Sequence, residues 1–282
     1  MKRAIITLAA GLTLAVLAAS CDKLDEPYRI IKGEDTTAVT KVVLLEDYTG
    51  HKCTNCATAA LAARVMEENL HGKLIVMSVH AGFYAEPSAT GDFTADYTTA
   101  AGDEWNTYFE VVANPSGLVN RASYNGDLNI DPGDWLNAVN AQLALPQEAA
   151  IEIDNQYTVG NRELKVTVET RFLAALGGAY TLTVCLTEDS LISPQKNNDT
   201  TIGYPVPIIY DWVFMDVLRG TVNGTWGEEL TASVDTSTVY EKSYTITLNT
   251  AWTEKNCHVV AFVSKSDTKA IIQASKKAVI PE

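Results

Sequence analysis

The stretch that decides the fold is Leu44-Leu45-Glu46-Asp47-Tyr48-Thr49-Gly50-His51-Lys52-Cys53-Thr54-Asn55-Cys56-Ala57. Val42 to Leu45 is a continuous apolar run, the pattern of a strand buried on both faces. It leads straight into Cys-x-x-Cys. From Asn55 to Leu70 the composition is helical, with Ala57, Leu61, Val65 and Leu70 near one face. His71-Gly72 supplies the stop signal. Placed at the start of that helix, Cys53 meets free N–H groups and the positive end of the dipole, which stabilise a thiolate. Lys52 adds a positive neighbour. Two intervening residues let a disulfide close across the first helical turn. This arrangement predicts Cys53 as the exposed attacking thiol and Cys56 as the resolving thiol, with exchange running through a mixed disulfide.

Working outward, Leu74 to Val79 reads as a second buried strand. Residues 82–106 read as an insertion, aromatic and rich in Gly and Thr, closed by a helical piece around Glu104 to Phe109. Pro115 to Val119 starts a third strand. Asp134 to Leu145 is an amphipathic helix with Trp135, Val139 and Leu143 at spacing four. The order β-α-β-insertion-β-α over residues 38–147 predicts an α/β sheet covered by helices. At these residues the chain resembles thioredoxin-fold proteins. The resemblance implies a cis-proline facing the Cys pair, and Asn114-Pro115 fits that position. The backbone of Asn114 would then offer strand-like hydrogen bonds to a substrate. It also implies that Asp47, six residues before Cys53, is a buried acid assisting Cys56. The chain departs from that family in three ways. Lys52 stands where Trp is usual, Thr54-Asn55 replaces Gly-Pro, and the gap between Cys53 and Pro115 is long. The fold expectation survives these departures, and general protein-reductase activity becomes doubtful.

After Pro146 the pattern changes. Ile151 to Val159, Glu163 to Phe172, Tyr180 to Leu186, Tyr244 to Leu248, His258 to Ser264 and Ala270 to Ala274 are short β-rich runs. They predict a β-sandwich over residues 148–282. Ser190 to Tyr210, holding Pro194, Pro205 and Pro207, reads as a long irregular connection. Cys185 alternates with Thr181, Thr183 and Thr187 and falls on the polar face of its strand. Cys185 and Cys257 either bridge, if their strands are neighbours, or remain as two half-buried thiols.

At the other end, Lys2 and Arg3 precede an apolar stretch from Ala4 to Ser20. It is short for a membrane-spanning helix and reads as a signal peptide over residues 1–20. Leu17-Ala18-Ala19-Ser20-Cys21 resembles the lipobox of bacterial lipoproteins. That resemblance implies cleavage before Cys21 and its acylation, palmitate included, as a membrane anchor. Residues 21–37 form an acidic tether. An exported chain sits where disulfides persist. The 282 residues are 46% hydrophobic and 20% charged, an ordinary globular balance. The formal net charge of −14 excludes nucleic acid as a partner, since phosphate contacts need a basic footprint. An N₂S₂ metal set of Cys53, Cys56, His51 and His80 has no second Cys-x-x-Cys to support it. The sequence calls for no metal and no cofactor.

The lipobox, Thr49 to Cys56, Asn114-Pro115-Ser116-Gly117-Leu118-Val119-Asn120-Arg121 and Val222-Asn223-Gly224-Thr225-Trp226-Gly227-Glu228 are found together. With them the whole chain resembles the outer membrane protein 28-related lipoproteins of Bacteroidetes. The resemblance implies an α+β, two-domain protein on a lipid anchor at the outer membrane. Its thioredoxin-like α/β domain (38–147) would be followed by an Ig-like β-sandwich (148–282). The expected activity is thiol–disulfide exchange with protein thiols or disulfides of the cell envelope. The alternative is a surface binding or adhesion lipoprotein whose Cys pair is a structural disulfide.

Overall fold

The computed structural model describes residues 40–202 and 206–280. The expected signal peptide, the expected acylation site Cys21, the expected tether and Pro205 lie outside these residues. Strand β1 (Val43–Thr49) is buried along its whole length. The reason is its central place: β2 (Leu74–His80) runs parallel on one side, with Val43 opposite Leu74 and Thr49 opposite His80. On the other side β3 (Ser116–Val119) runs antiparallel. Helix α1 (Cys56–Leu70) connects β1 to β2 and ends at His71, whose left-handed conformation turns the chain. Its buried stripe is Cys56, Ala57, Ala59, Ala63 and Met66. Val65, expected on that face, is 54% exposed. Small alanines let the helix lie close on the sheet, so the larger aliphatic side chains fall elsewhere. Helix α2 (Ala100–Tyr108) starts at Thr99, whose hydroxyl accepts from the Gly102 N–H at 3.0 Å. A 3₁₀ turn, Pro132–Asp134, leads into α3 (Trp135–Leu143). The Trp135 indole packs where a Cβ on Gly117 would sit, so β3 needs glycine at that point.

Ten strands follow: β4 (Ala149–Thr158), β5 (Glu163–Phe172), β6 (Tyr180–Glu188), β7 (Leu191–Lys196), β8 (Ile208–Phe214), β9 (Val217–Thr221), β10 (Glu228–Thr231), β11 (Val239–Thr247), β12 (Cys257–Lys265) and β13 (Ile271–Ala278). Among the described residues they complete an α+β fold with several sheets. One sheet of eight strands runs β13-β12-β6-β9-β2-β1-β3, with β10 also on β6. It therefore joins strands from both sides of residue 148. Its seam is β9 beside β2, where the Ser78 N–H donates to Asp216 O at 2.9 Å. A three-stranded sheet, β11-β5-β4, packs on one face of the large sheet through Leu164, Val166 and Phe172 against Leu182, Val184 and Val259. The opposite face meets α2, with Cys185, Val260 and Phe262 packed among Tyr48, Trp105 and Phe109.

Two expectations change here, and one open alternative is decided. The Thr183–Cys185–Thr187 face is fully buried rather than polar and open, because the continuous sheet brings α2 over it. Cys185 and Cys257 are not bridged; both are buried thiols. Their strands are neighbours, but Cys185 lies opposite Val260 and Cys257 opposite Glu188. That offset of three residues puts the two sulfurs on opposite faces, in separate cores. Burial raises both thiols, Cys257 to about 12 and Cys185 further. The stretch read as an irregular connection instead opens with β7 and runs into β8, which pair antiparallel; the described residues between the two strands stay irregular.

The remaining motif residues hold this frame together. Asn120 and Arg121 turn the chain after β3 with positive φ. The Asn120 side chain accepts from the Leu44 N–H at 2.8 Å, and the Asn120 backbone carbonyl accepts from the Ile271 N–H at 2.8 Å. Arg121 makes a two-pronged ion pair with Glu46 at 2.7 and 2.8 Å inside the core. Trp105, Phe109 and Phe262 surround its guanidinium at 4.8–5.0 Å. Asn223 accepts from the Val184 N–H and donates to Leu182 O, both at 2.9 Å.

Candidate redox site

The site lies where β1 ends and α1 begins. After Thr49 the chain makes a tight loop in which the Cys53 N–H donates to Gly50 O at 3.0 Å. The Lys52 N–H donates to Tyr84 O at 3.0 Å. A Cβ at Gly50 would collide with the Tyr84 backbone, so the approach of the two segments requires glycine there. Cys53 and Cys56 are joined by a disulfide. The helix proper starts at Cys56 with Asn55 as N-cap, so Cys53 stands one turn ahead of the first helical residue.

Cys53 was expected to be exposed, and it is 3% exposed. Two elements far away in sequence cover it. The first is the segment before β3: Cys53 Sγ lies 3.5 Å from Asn114 O. A reduced Cys53 could donate its S–H to that carbonyl, whereas a disulfide sulfur has no hydrogen to give. The Asn114–Pro115 peptide is cis. The second is the β7–β8 pair. The Gln195 side-chain amide donates to Cys53 O at 2.8 Å, and the Lys196 N–H donates to His51 O at 2.8 Å. Trp212 and Phe214 of β8 pack with Ala57 and Tyr97. Nothing in the local sequence around Cys53 signals this cover, because β7 and β8 are about 140 residues away.

Behind the disulfide is a cavity of about 20 Å³, lined by Asp47, Cys56, His80, Arg64, Trp212 and Asp216. It has room for about one water. Asp47 is 1% exposed, and neither carboxylate oxygen has a hydrogen-bond partner in the protein. Burial therefore raises its pKa to about 7, which favours the neutral acid. His80 is equally buried, with its ring against Tyr97 and Phe214. Burial, then His51 and Arg219, lower it to about 3, so it is neutral at physiological pH. His51 has no exposed surface, faces Phe93, and is lowered chiefly by burial. The geometry brings Asp47, Cys53, Cys56 and Asn114 together. It adds His80 and Gln195. His80 stood in the sequence only as a member of the unsupported metal set, and Gln195 carried no signal.

The family match leaves out Cys53 and Cys56 but takes in Asn114 and Gln195. A family model described as Outer membrane protein Omp28 matches residues 102–282, well over half of the sequence. No curated protein matches the chain. A crystal structure of a protein from Agrobacterium tumefaciens is similar over 86% of this chain and 96% of its own. Its TM-score is 0.52 and its identity 12%, so the likeness speaks for the fold alone. A domain of the outer membrane lipoprotein Omp28 from Porphyromonas gingivalis is 22% identical over 49% of this chain and 93% of its own, with a TM-score of 0.33.

Proposed function

We propose, for a chain that belongs to the Omp28 outer membrane protein family, a role in thiol–disulfide exchange in the cell envelope. In this reading Cys21 carries lipid and anchors the protein at the outer membrane. Residues 38–147 act as a thioredoxin-like unit and residues 148–282 as an Ig-like sandwich. The observation that carries the reading is the disulfide held between a backbone carbonyl and a buried acid. Cys53 Sγ is 3.5 Å from Asn114 O, and Cys56 shares its cavity with Asp47.

The chemistry follows from those positions. A substrate thiolate attacks Cys53 Sγ and forms a mixed disulfide as the Cys53–Cys56 bond breaks. The electron pair goes to Cys56 Sγ, which takes a proton from neutral Asp47. A second substrate thiolate then attacks the substrate sulfur and releases Cys53 as a thiolate, which takes a proton from solvent, as does the ionised Asp47. The substrate dithiol is oxidised to a disulfide, and the Cys pair is reduced to two thiols. The reverse sequence reduces a substrate. The near-complete burial of Cys53 favours a second reading, a binding or adhesion lipoprotein with a structural staple.

Cys56→Ser separates the two. Exchange predicts mixed disulfides between Cys53 and envelope proteins, seen as reductant-sensitive adducts on gels. A staple predicts none, and a Cys53–Cys56 potential below about −300 mV, where structural disulfides lie.

A further inference from the structure

We infer that Gln195 is a positioning residue of the Cys53–Cys56 site, holding the backbone of the Cys loop so that the pair stays closed. This rests on the exchange reading above for its purpose, though not for its geometry. Gln195 is 1% exposed and sits on β7, with its side-chain nitrogen among three carbonyl oxygens. These are Cys53 O at 2.8 Å, Lys196 O at 2.9 Å and Gly50 O at 3.5 Å. Three acceptors around one end of the amide fix its orientation, since only the NH₂ end has hydrogens to offer. Its two hydrogens serve Cys53 O and Lys196 O, with Gly50 O as a weaker third contact.

The same arm makes two further attachments. The Lys196 N–H donates to His51 O at 2.8 Å. Asn198 donates to Asn55 Oδ1 at 2.7 Å. The loop from Gly50 to Asn55 is thus held at several points by one segment. The only bond among these backbone groups made within the loop itself is Cys53 N–H to Gly50 O. Opening the disulfide lets the two sulfurs move apart, and the loop between them relaxes. A buried amide that pins the Cys53 and Gly50 carbonyls resists that relaxation and favours the bonded state. The cover from β7 therefore acts on the equilibrium of the pair as well as on its access.

The test uses the full chain in detergent, equilibrated with dithiothreitol buffers between pH 5.5 and 8 and read by thiol trapping. Dithiothreitol closes to its cyclic disulfide and delivers two electrons and two protons, leaving Cys53 and Cys56 as thiols. Gln195→Met keeps the length and apolar packing but cannot donate. It is expected to shift the equilibrium toward the dithiol about tenfold, the worth of one or two net hydrogen bonds. Gln195→Glu keeps the shape but turns a carboxylate toward the carbonyls. Its shift is expected to match or exceed that of Gln195→Met at pH 8 and to shrink toward pH 5.5, where protonation restores a donor. A purely structural role would lower thermal stability without that pH reversal. Should Gln195→Met fail to fold, the pH reversal of Gln195→Glu decides alone. Equilibrium constants within twofold of wild type, with no reversal, overturn the inference. Mixed-disulfide trapping with Cys56→Ser reports separately on exchange, so a negative result there together with a shifted equilibrium leaves the positioning role standing.

Discussion

The described chain holds two pairs of cysteines on neighbouring elements, and only one pair is bonded. Cys53 and Cys56 sit three apart on a loop entering a helix, and the turn brings their Cα atoms to 5.5 Å. Cys185 and Cys257 sit on strands that are hydrogen-bonded to each other, yet a three-residue offset sends one sulfur into each of two cores. Adjacency of elements is therefore not enough. On a helical turn a separation of three returns to the same side, while across a sheet an odd offset reverses the side. A single sheet can thus keep two thiols apart at close range, and a local loop can join two others without help from register.

The bluntest way to break this comparison is to count thiols. Alkylation of the native protein is expected to modify neither Cys185 nor Cys257, and both should react once the chain is unfolded without reductant. Cys53 and Cys56 should join them only after reduction. Intact mass reads each state, and a native bridge between Cys185 and Cys257 would leave no thiol among these four in the non-reduced, unfolded chain.

Next in size is the core on the Cys185 face. Glu46→Ala leaves the buried Arg121 charge unpaired and should cost about 3–5 kcal/mol in urea unfolding. The acid behind the bonded pair has an effect of similar scale that depends on pH. The folded pKa of Asp47 is raised to about 7, so the native state keeps a proton that the unfolded chain releases. Its contribution is fully present below about pH 4 and is lost as pH rises through 7. Asp47→Asn should therefore be worth about 4 kcal/mol relative to wild type by pH 8 and little near pH 4. His80 works in the opposite direction: its contribution is fully present above about pH 6.5 and is lost as pH falls from there toward its depressed value of about 3, so the variant must be compared with wild type at each pH.

Smaller changes sharpen the contrast. Cys185→Ser places a hydroxyl in an apolar core and should cost about 1–3 kcal/mol. It should leave the potential of the other pair unchanged. Thr99→Ala removes the cap of α2, the helix that covers Cys185, and should cost about 1 kcal/mol. Cys185 should then react faster in the native state if α2 is its barrier.

Much of the fold was legible before the structure. The Val42–Leu45 run, the strand at Leu74 and the β-rich runs after Pro146 all became strands near their expected places, because each carried its own apolar pattern. The junction that holds Cys53 and Cys56 was legible for the same reason. The β7–β8 pair was not. Its prolines read as irregular, yet the register of β7 on β8 simply shifts between Ser193 and Gln195 and accommodates Pro194.

The sequence by itself determined the elements, the vicinal Cys pair and the acid six residues before it. These depend on periodicity and short spacing, which a linear chain carries openly. Only the tertiary structure decided that Cys53 is covered, that Gln195 holds its carbonyl, that Arg121 pairs with Glu46 and that Cys185 never meets Cys257. Each of those depends on which strands become neighbours and in what register. That choice is made when two distant faces are buried together, and one residue's shift exchanges inside for outside.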